Sequence, residues 1–440
     1  MMRPSVLIIG GGPAGLTTAL RLSARGYAVT LLEQGGELGG RLIRSAADAI
    51  PPVFLGCHRA SLSLLKTMGT ARHVRFSKGI NLEFLLRGDR TDRLHRPWAP
   101  APFHALLSLA TFRGLPFQDR WRALMLLERT WEGDPALPPD LESRTADEWL
   151  ADRGQSEAAR ALVWSPLARF LLGDDLTVVS AAMLITTLAR CFLSARRNSG
   201  IAIPAHGMRH LLLEPARAQL LRSGATIRLG TAVNQIRFDA QRVSGVDLQT
   251  GGTLAAEWYV AALPHRSLYR LLPEGVLARY SYFQQLTGLT DSPALTVHLW
   301  LDRPLPGPRL LLLPGKTYHW MVSRPDGGPT LVSLVATGKV DVLDRPDREL
   351  LEVALHEVRS AFPALSSART QEYRIVREPH AFLSVKPGTA ALRPLQQSPF
   401  LNLCLAGDWT DTGLPATLES AILSGERCAD AIHMKMEEGR

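Results

Sequence analysis

Ser5-Val6-Leu7-Ile8-Ile9-Gly10-Gly11-Gly12-Pro13-Ala14-Gly15 is the stretch that decides the fold. Four apolar residues in a row after Ser5 read as a parallel strand buried on both faces. The glycines let the chain turn tightly and approach a pyrophosphate closely. Leu16 to Ala24 reads as the following helix, whose N-terminal N–H groups face the phosphates. Gly26 ends that helix, and Ala28-Val29-Thr30-Leu31-Leu32 is a second strand closing on Glu33. Glu33 lies eighteen residues after Gly15, where a carboxylate accepts hydrogen bonds from a ribose diol. A lone glycine motif is weak, but strand, helix, second strand and acidic end together read as a dinucleotide site. Gly10, Gly12, Pro13, Ala14, Gly15 and Glu33 are its expected contacts.

Working outward, residues 76–200 read as mostly helical, with proline-rich breaks at 97–102 and 135–139. Strand patterns return at Thr226 to Leu229. A hairpin is expected from 243–248 to 253–260, turning at Thr250-Gly251-Gly252. Leu295 to Leu301 alternates as a strand of an antiparallel sheet does. Leu401 to Leu405 is one more apolar strand, followed by Ala406-Gly407-Asp408 and a helix beginning near Pro415-Ala416-Thr417. The fold class expected is α/β. A discontinuous Rossmann-like domain (1–75, 201–263 and 395–440) joins a substrate domain of antiparallel sheet plus helices (76–200 and 264–394).

A chain of 440 residues exceeds what one hydrophobic core usually organises, which agrees with two domains. Four scattered cysteines without a Cys-x-x-Cys pair argue against a disulfide framework or a zinc site, and no metal is expected. Neither a signal peptide nor a membrane span is read, so the expected location is cytoplasmic, peripheral on the inner membrane. The net charge of +9 lacks the aromatic-interleaved basic motif of a nucleic-acid binder. It reads either as attraction to an anionic membrane surface or as a compositional preference for arginine. The segment 97–131 carries Phe103, Leu106, Leu107, Leu109, Phe112, Leu115, Phe117 and Trp121 among Arg113, Arg120 and Arg122. That pattern suits an amphipathic segment on a bilayer, or a helix packed on the substrate domain.

Three further pieces resemble the flavoproteins of the amine-oxidase and phytoene-desaturase group. Leu38-Gly39-Gly40-Arg41 matches that group's Gly-Gly-Arg near the diphosphate and flavin. Gly230-Thr231-Ala232-Val233 matches its middle strand, where Val233 would present backbone groups to adenine. Ala406-Gly407-Asp408 matches its Gly-Asp, and Thr417 and Leu418 begin the helix aimed at the flavin. The resemblance implies FAD rather than NAD, held non-covalently by Gly39, Gly40, Arg41, Val233, Gly407, Asp408, Thr417 and Leu418 besides the glycine loop. The group's lysine near flavin N5 falls by alignment in Ala294 to Leu301, which contains none. That argues against an amine oxidase.

Gly407-Asp408-Trp409-Thr410-Asp411-Thr412-Gly413-Leu414-Pro415-Ala416-Thr417 looks closely like the hydroxysqualene dehydroxylases. So do Ser292 to Trp300, Trp164-Ser165-Pro166-Leu167 and Gly56 to Leu62. The resemblance implies reduction of an apolar triterpenoid, hydroxysqualene, to squalene by FADH2 from an unidentified donor. Trp409, Leu414, Pro415, Trp164 and Pro166 are then candidates for the substrate site. One loop departs: Asp48-Ala49-Ile50-Pro51-Pro52 stands where the family pattern is Asp-Asn-Gly-Gln-His, so a polar loop has become apolar. A carotenoid desaturase and a non-catalytic carrier of prenyl lipids are the alternatives. His206, His265, His298 and His380 read as structural rather than catalytic.

Overall fold

The computed structural model describes residues 3–438 apart from 45–46, 87–89, 96–97, 132–140, 306, 326–328 and 340, with only the backbone course of 127–131. Pro97 and the prolines at 135–139, expected to break the helical region, lie outside the described residues.

Ser5–Ile9 sits in the middle of a five-stranded sheet. Its order is Leu403–Leu405, Trp258–Ala261, Ser5–Ile9, Ala28–Leu32, Thr226–Arg228, and every neighbouring pair is parallel. Val6, Leu7, Ile8 and Ile9 are all buried, as a strand covered on both faces requires. The first helix runs Pro13–Ala24, one turn earlier than the pattern suggested, because proline at its first position needs no N–H partner. It packs against the last helix, Leu418–Glu438. Gly425 permits the close crossing: a Cβ there would lie 2.4 Å from the Ala14 carbonyl oxygen.

The expected hairpin is corrected in its return strand. Val233–Asp239, Arg242–Leu248 and Thr253–Leu254 form a small antiparallel sheet, but pairing stops after Leu254. Trp258–Ala261 leaves it to join the parallel sheet beside Ser5–Ile9. Its four residues are all buried, as a strand of the doubly covered parallel sheet requires.

The second sheet has seven strands, in the order Thr370–Leu383, Asp291–Leu301, Thr330–Thr337, Trp320–Pro325, Arg309–Leu312, Asn81–Leu85, Thr91–His95. All its pairs are antiparallel except Arg309–Leu312 with Asn81–Leu85. The two edge strands at 81–95 are a correction to the mostly helical reading of 76–200. Leu82 and Phe84 alternate into the core while Asn81 and Glu83 stay half-buried, a period of two that marks a strand. One face of the sheet packs on the helix Asp347–Ala361. The other faces the helical layer that includes Ser165–Leu172 and Ala181–Leu188. Among the described residues no helix is long and apolar enough to cross a membrane.

Candidate active site

A cavity of about 670 Å³ opens at the C-terminal ends of the parallel strands and continues beneath the inner face of the seven-stranded sheet. Gly10, Gly12, Pro13, Ala14, Glu33, Arg41, Thr231 and Val233 line one part of it, with Gly407, Asp408, Thr417 and Leu418. The sequence-predicted cofactor residues therefore converge, apart from Gly15 and Gly39, which lie behind the wall.

Each glycine has its own task. Gly10 has φ +109°, and a Cβ there would lie 2.3 Å from the Ala262 carbonyl oxygen, so it sets the tight turn. A Cβ at Gly15 would fall 2.0 Å from the Gly10 carbonyl oxygen, so it lets the helix press on the strand. At Gly12 a Cβ would meet nothing within 4 Å. That open space, at the start of Pro13–Ala24, is a cradle in which phosphate oxygens would meet the free N–H groups of the helix. Glu33 is buried; its Oε2 accepts from Gly11 N and its Oε1 from Gly35 N, both at 2.8 Å. The carboxylate thereby ties the glycine loop to the turn beyond the second strand while bordering the cavity. Thr231 N donates to the Glu33 carbonyl at 2.8 Å, which brings the 230–233 segment to the same wall.

Gly39 N donates to the Gly11 carbonyl at 2.9 Å, so the Gly-Gly-Arg stretch is docked on the glycine loop. Arg41 then reaches across to an ion pair with Asp408 and donates to the Ala381 carbonyl at 3.2 Å. Burial alone pushes the Arg41 pKa down, but the carboxylates of Asp408, Asp291 and Glu378 together outweigh it and the net value lies above the usual one. The Asp408 loop is held from behind by Arg393, which is buried. Its guanidinium donates to the carbonyls of Leu414 at 2.6 Å, Thr410 at 2.7 Å and Asp408 at 2.8 Å. Glu419 reaches the other way, accepting from Ala60 N at 2.9 Å and Ser61 N at 2.8 Å. It thus satisfies the N-terminus of the helix Arg59–Thr67. The N-terminus of Leu418–Glu438 meets the cavity through Thr417, Leu418 and Ala421.

The other part of the cavity is mainly apolar. Ile50, Pro51 and Pro52 from the departing loop line it, together with Phe170, Leu171, Trp320 and Phe382. Beneath that loop, Asp48 accepts from Met208 N at 2.8 Å and pairs with Arg324 at 3.2 Å. Burial nevertheless raises the Asp48 pKa. The loop is thus polar underneath and apolar towards the cavity.

Of the expected substrate residues only Trp409 lines the cavity, with its indole N–H on the Leu263 carbonyl at 2.8 Å. Trp164 and Pro166 are corrected: both are buried in the helical layer, and Trp164 Nε1 bonds Gln155 Oε1 at 2.9 Å. The same helix brings Phe170 and Leu171 to the cavity instead, one turn further along its axis. Leu414 and Pro415 do not line it either; Leu414 is turned into the loop whose carbonyl Arg393 holds.

Among the histidines, His298 is buried, with Nδ1 2.8 Å from Ser333 Oγ and Nε2 2.9 Å from the Asp48 carbonyl. Burial pushes its pKa down to about 4, so it is neutral, with the proton on Nε2. His265 is buried 3.8 Å from Asp291, His380 is exposed and 3.0 Å from it, and His206 is exposed beside His210. None of the four lines the cavity, whereas His58, not singled out from the sequence, does. Phe170, Trp320 and Phe382 were also missed, for lack of any signal: a cavity-lining aromatic has the same local pattern as a core one. Arg393 and Glu419 could be suspected only as charges in apolar surroundings.

The sequence profile of the flavin-containing amine oxidoreductases matches residues 13–433. The chain is 27% identical over 460 aligned positions to a 15-cis-phytoene desaturase of Synechococcus elongatus, covering 98% of this chain and 96% of that one. It is 24% identical to a zeta-carotene desaturase of Synechocystis sp., covering 97% and 96%. Among solved structures, cyclohexylamine oxidase from Brevibacterium oxydans superposes with a TM-score of 0.73 at 20% identity, covering 99% of this chain and 100% of that chain.

Proposed function

The chain belongs to the flavin-containing amine oxidoreductase family and is an FAD-dependent oxidoreductase, and from that premise we propose that it reduces hydroxysqualene to squalene. The observation that carries the reading is one cavity with two characters. Its glycine-lined part suits FAD, and it runs into a part walled by Ile50, Pro51, Pro52, Phe170, Leu171 and Phe382. Bound flavin supplies the hydride. The net change exchanges C–OH for C–H and releases water, consuming one hydride and one proton. Glu33 would hold a ribose of the FAD and Gly12 would leave room for its diphosphate. Arg41 and Asp408 would hold the ribityl and ring region. The N-terminus of Leu418–Glu438 favours negative charge on the reduced ring. The apolar walls exclude water and bind a chain at about 0.8 kcal/mol per buried CH₂. Similarity to the hydroxysqualene dehydroxylases at Gly407 to Thr417 supports the choice of substrate.

Carotenoid desaturation is the second reading, favoured by the names of the two cyanobacterial relatives above. Direction of transfer separates the two. Chemically reduced enzyme mixed anaerobically with hydroxysqualene is expected to reoxidise in one turnover and yield squalene by mass spectrometry. Persistent reduced flavin, with desaturation of phytoene by the oxidised enzyme, would instead select the second reading.

A membrane surface as the source of substrate belongs to the same proposal. Phe103, Leu107, Phe117 and Trp121 are exposed, as is Trp98 at 71% of its surface, while Leu109, Phe112 and Leu115 are buried. The segment is therefore two-sided, and Phe112, packed on Phe84 at 5.1 Å, belongs to the core rather than to a bilayer. Five large apolar side chains on one short stretch, beside Arg113 and Arg122, suit an anionic lipid surface. The double variant Phe117→Ser, Trp121→Ser should sediment with anionic liposomes several-fold less than wild type. Equal sedimentation would reject the surface as a lipid contact.

A further inference from the structure

We propose that Thr296 and His298 are positioning residues that fix the 50–52 loop as a substrate wall and so set how tightly the cavity takes an isoprenoid chain. Both lie on the strand Asp291–Leu301, two residues apart and therefore on one face of it. Thr296 Oγ1 donates to the Ala49 carbonyl at 2.8 Å, and His298 Nε2 to the Asp48 carbonyl at 2.9 Å. Those carbonyls belong to the two residues just before Ile50, Pro51 and Pro52, which line the apolar part of the cavity. Asp48, Ala49, Thr296 and His298 are all buried, so bulk water does not compete for either bond.

The main chain gives this wall little support of its own. Ala47–Asp48 is a two-residue strand paired with Ile43–Arg44, and Ala49 N donates to the Leu42 carbonyl at 2.8 Å. Ladder pairing resumes at Phe54–Leu55, against Ile201–Ala202. Between the two, Pro51 and Pro52 have no N–H to donate. The Asp48 carboxylate is engaged elsewhere, by Met208 N and by Arg324 of the strand Trp320–Pro325. Its carbonyl and that of Ala49 therefore tie the start of the wall to Asp291–Leu301. The His298 ring is itself fixed: a carbonyl only accepts, so Nε2 carries the proton and Nδ1 accepts from the Ser333 hydroxyl at 2.8 Å, on the neighbouring strand Thr330–Thr337. Neither Thr296 nor His298 lines the cavity, so each acts through the loop. A wall already in place lowers the ordering cost when a flexible chain binds against it. The inference rests on the reading that the apolar part of the cavity takes an isoprenoid substrate, and it adds the residues that hold the wall of that site.

The test uses flavin-loaded protein and radiolabelled squalene, whose binding reads independently of turnover. Thr296→Val keeps the branched shape of the side chain and removes the donor to Ala49. It should bind squalene about tenfold more weakly than wild type, the scale of one hydrogen bond, with its flavin content unchanged. In the reaction with hydroxysqualene the same loss should fall on KM and leave kcat nearly as it was. Thr296→Ser, which restores a hydroxyl, should recover most of the affinity. Ile50→Ala removes a wall contact directly, and Thr296→Val added to it should cost much less than in wild type, because both act through one loop. His298→Phe, which keeps a ring and removes the donor to Asp48, serves where the valine variant fails to fold. Unchanged squalene affinity, a loss that Thr296→Ser does not recover, or an undiminished loss in the Ile50→Ala background would overturn the inference. Failure of wild type to bind squalene would overturn it too. Absent turnover of hydroxysqualene, with squalene binding following this pattern, rejects the reaction and keeps the positioning.

Discussion

Gly12→Asp should yield a folded, colourless protein. Gly12 has φ −75° and ψ 179°, an ordinary extended conformation at the N-cap of Pro13–Ala24. A side chain there meets nothing within 4 Å, and aspartate is among the best residues at an N-cap. The apoprotein should therefore be as stable as wild-type apoprotein, or slightly more so. The new carboxylate enters the space of the diphosphate and repels it. Like charges about 4 Å apart at an effective dielectric of about 20 cost about 4 kcal/mol, roughly a thousandfold in Kd. Absorbance near the flavin maximum after purification, with the thermal midpoint of the apoprotein, checks both halves. Stoichiometric FAD in this variant would remove the cavity from consideration as the cofactor site. Gly10→Ala is the contrast: its Cβ would lie 2.3 Å from the Ala262 carbonyl oxygen, so it should harm the fold as well as the flavin.

Arg393→Ala should lose both flavin and stability. Removing the guanidinium leaves the carbonyls of Asp408, Thr410 and Leu414 without the donor they share. The Asp408 carbonyl keeps the Ser420 hydroxyl at 3.1 Å, but those of Thr410 and Leu414 are left unpaired, and at about 1–3 kcal/mol for each buried acceptor the loss is several kcal/mol, among the large values for one substitution. The freed loop carries Asp408 and Trp409, hence the cofactor should leave too. Arg393→Lys should rescue little, because one ammonium cannot span three carbonyls as a planar fork does. Denaturation of the apoproteins separates the variants: Arg393→Ala should unfold well before wild type, Gly12→Asp with it. Equal stability for all three would mean that the loop holds its shape without the arginine.

The contrast between these two positions also shows what kinds of information a linear pattern carries. Gly12 could be assigned its task from spacing alone, because strand, glycines, helix and Glu33 are all local, within about one βαβ unit. Arg393 has no local pattern; its partners are carbonyls on a loop 15–21 residues ahead, and carbonyl groups leave no trace in side-chain identity. The hairpin was misread for a related reason. Apolar residues 258–261 satisfy a strand pattern wherever the strand is paired, and only the available sheet decides its neighbour. At Phe112 the amphipathic pattern announced two faces without saying which one met solvent.

The βαβ unit, the second strand's acid and the antiparallel character of the 295–301 strand were determined by the sequence by itself, since each depends on periodicity and on residues close in the chain. The tertiary structure alone decided that the proline-stiffened 50–52 loop faces the cavity. It likewise decided that Phe170 and Leu171 rather than Trp164 and Pro166 line it, and that Thr296 and His298 hold the two carbonyls just before that loop. Those facts depend on which elements pack against one another across long separations. Burial makes a wall residue and a core residue chemically alike until the space beside them is known.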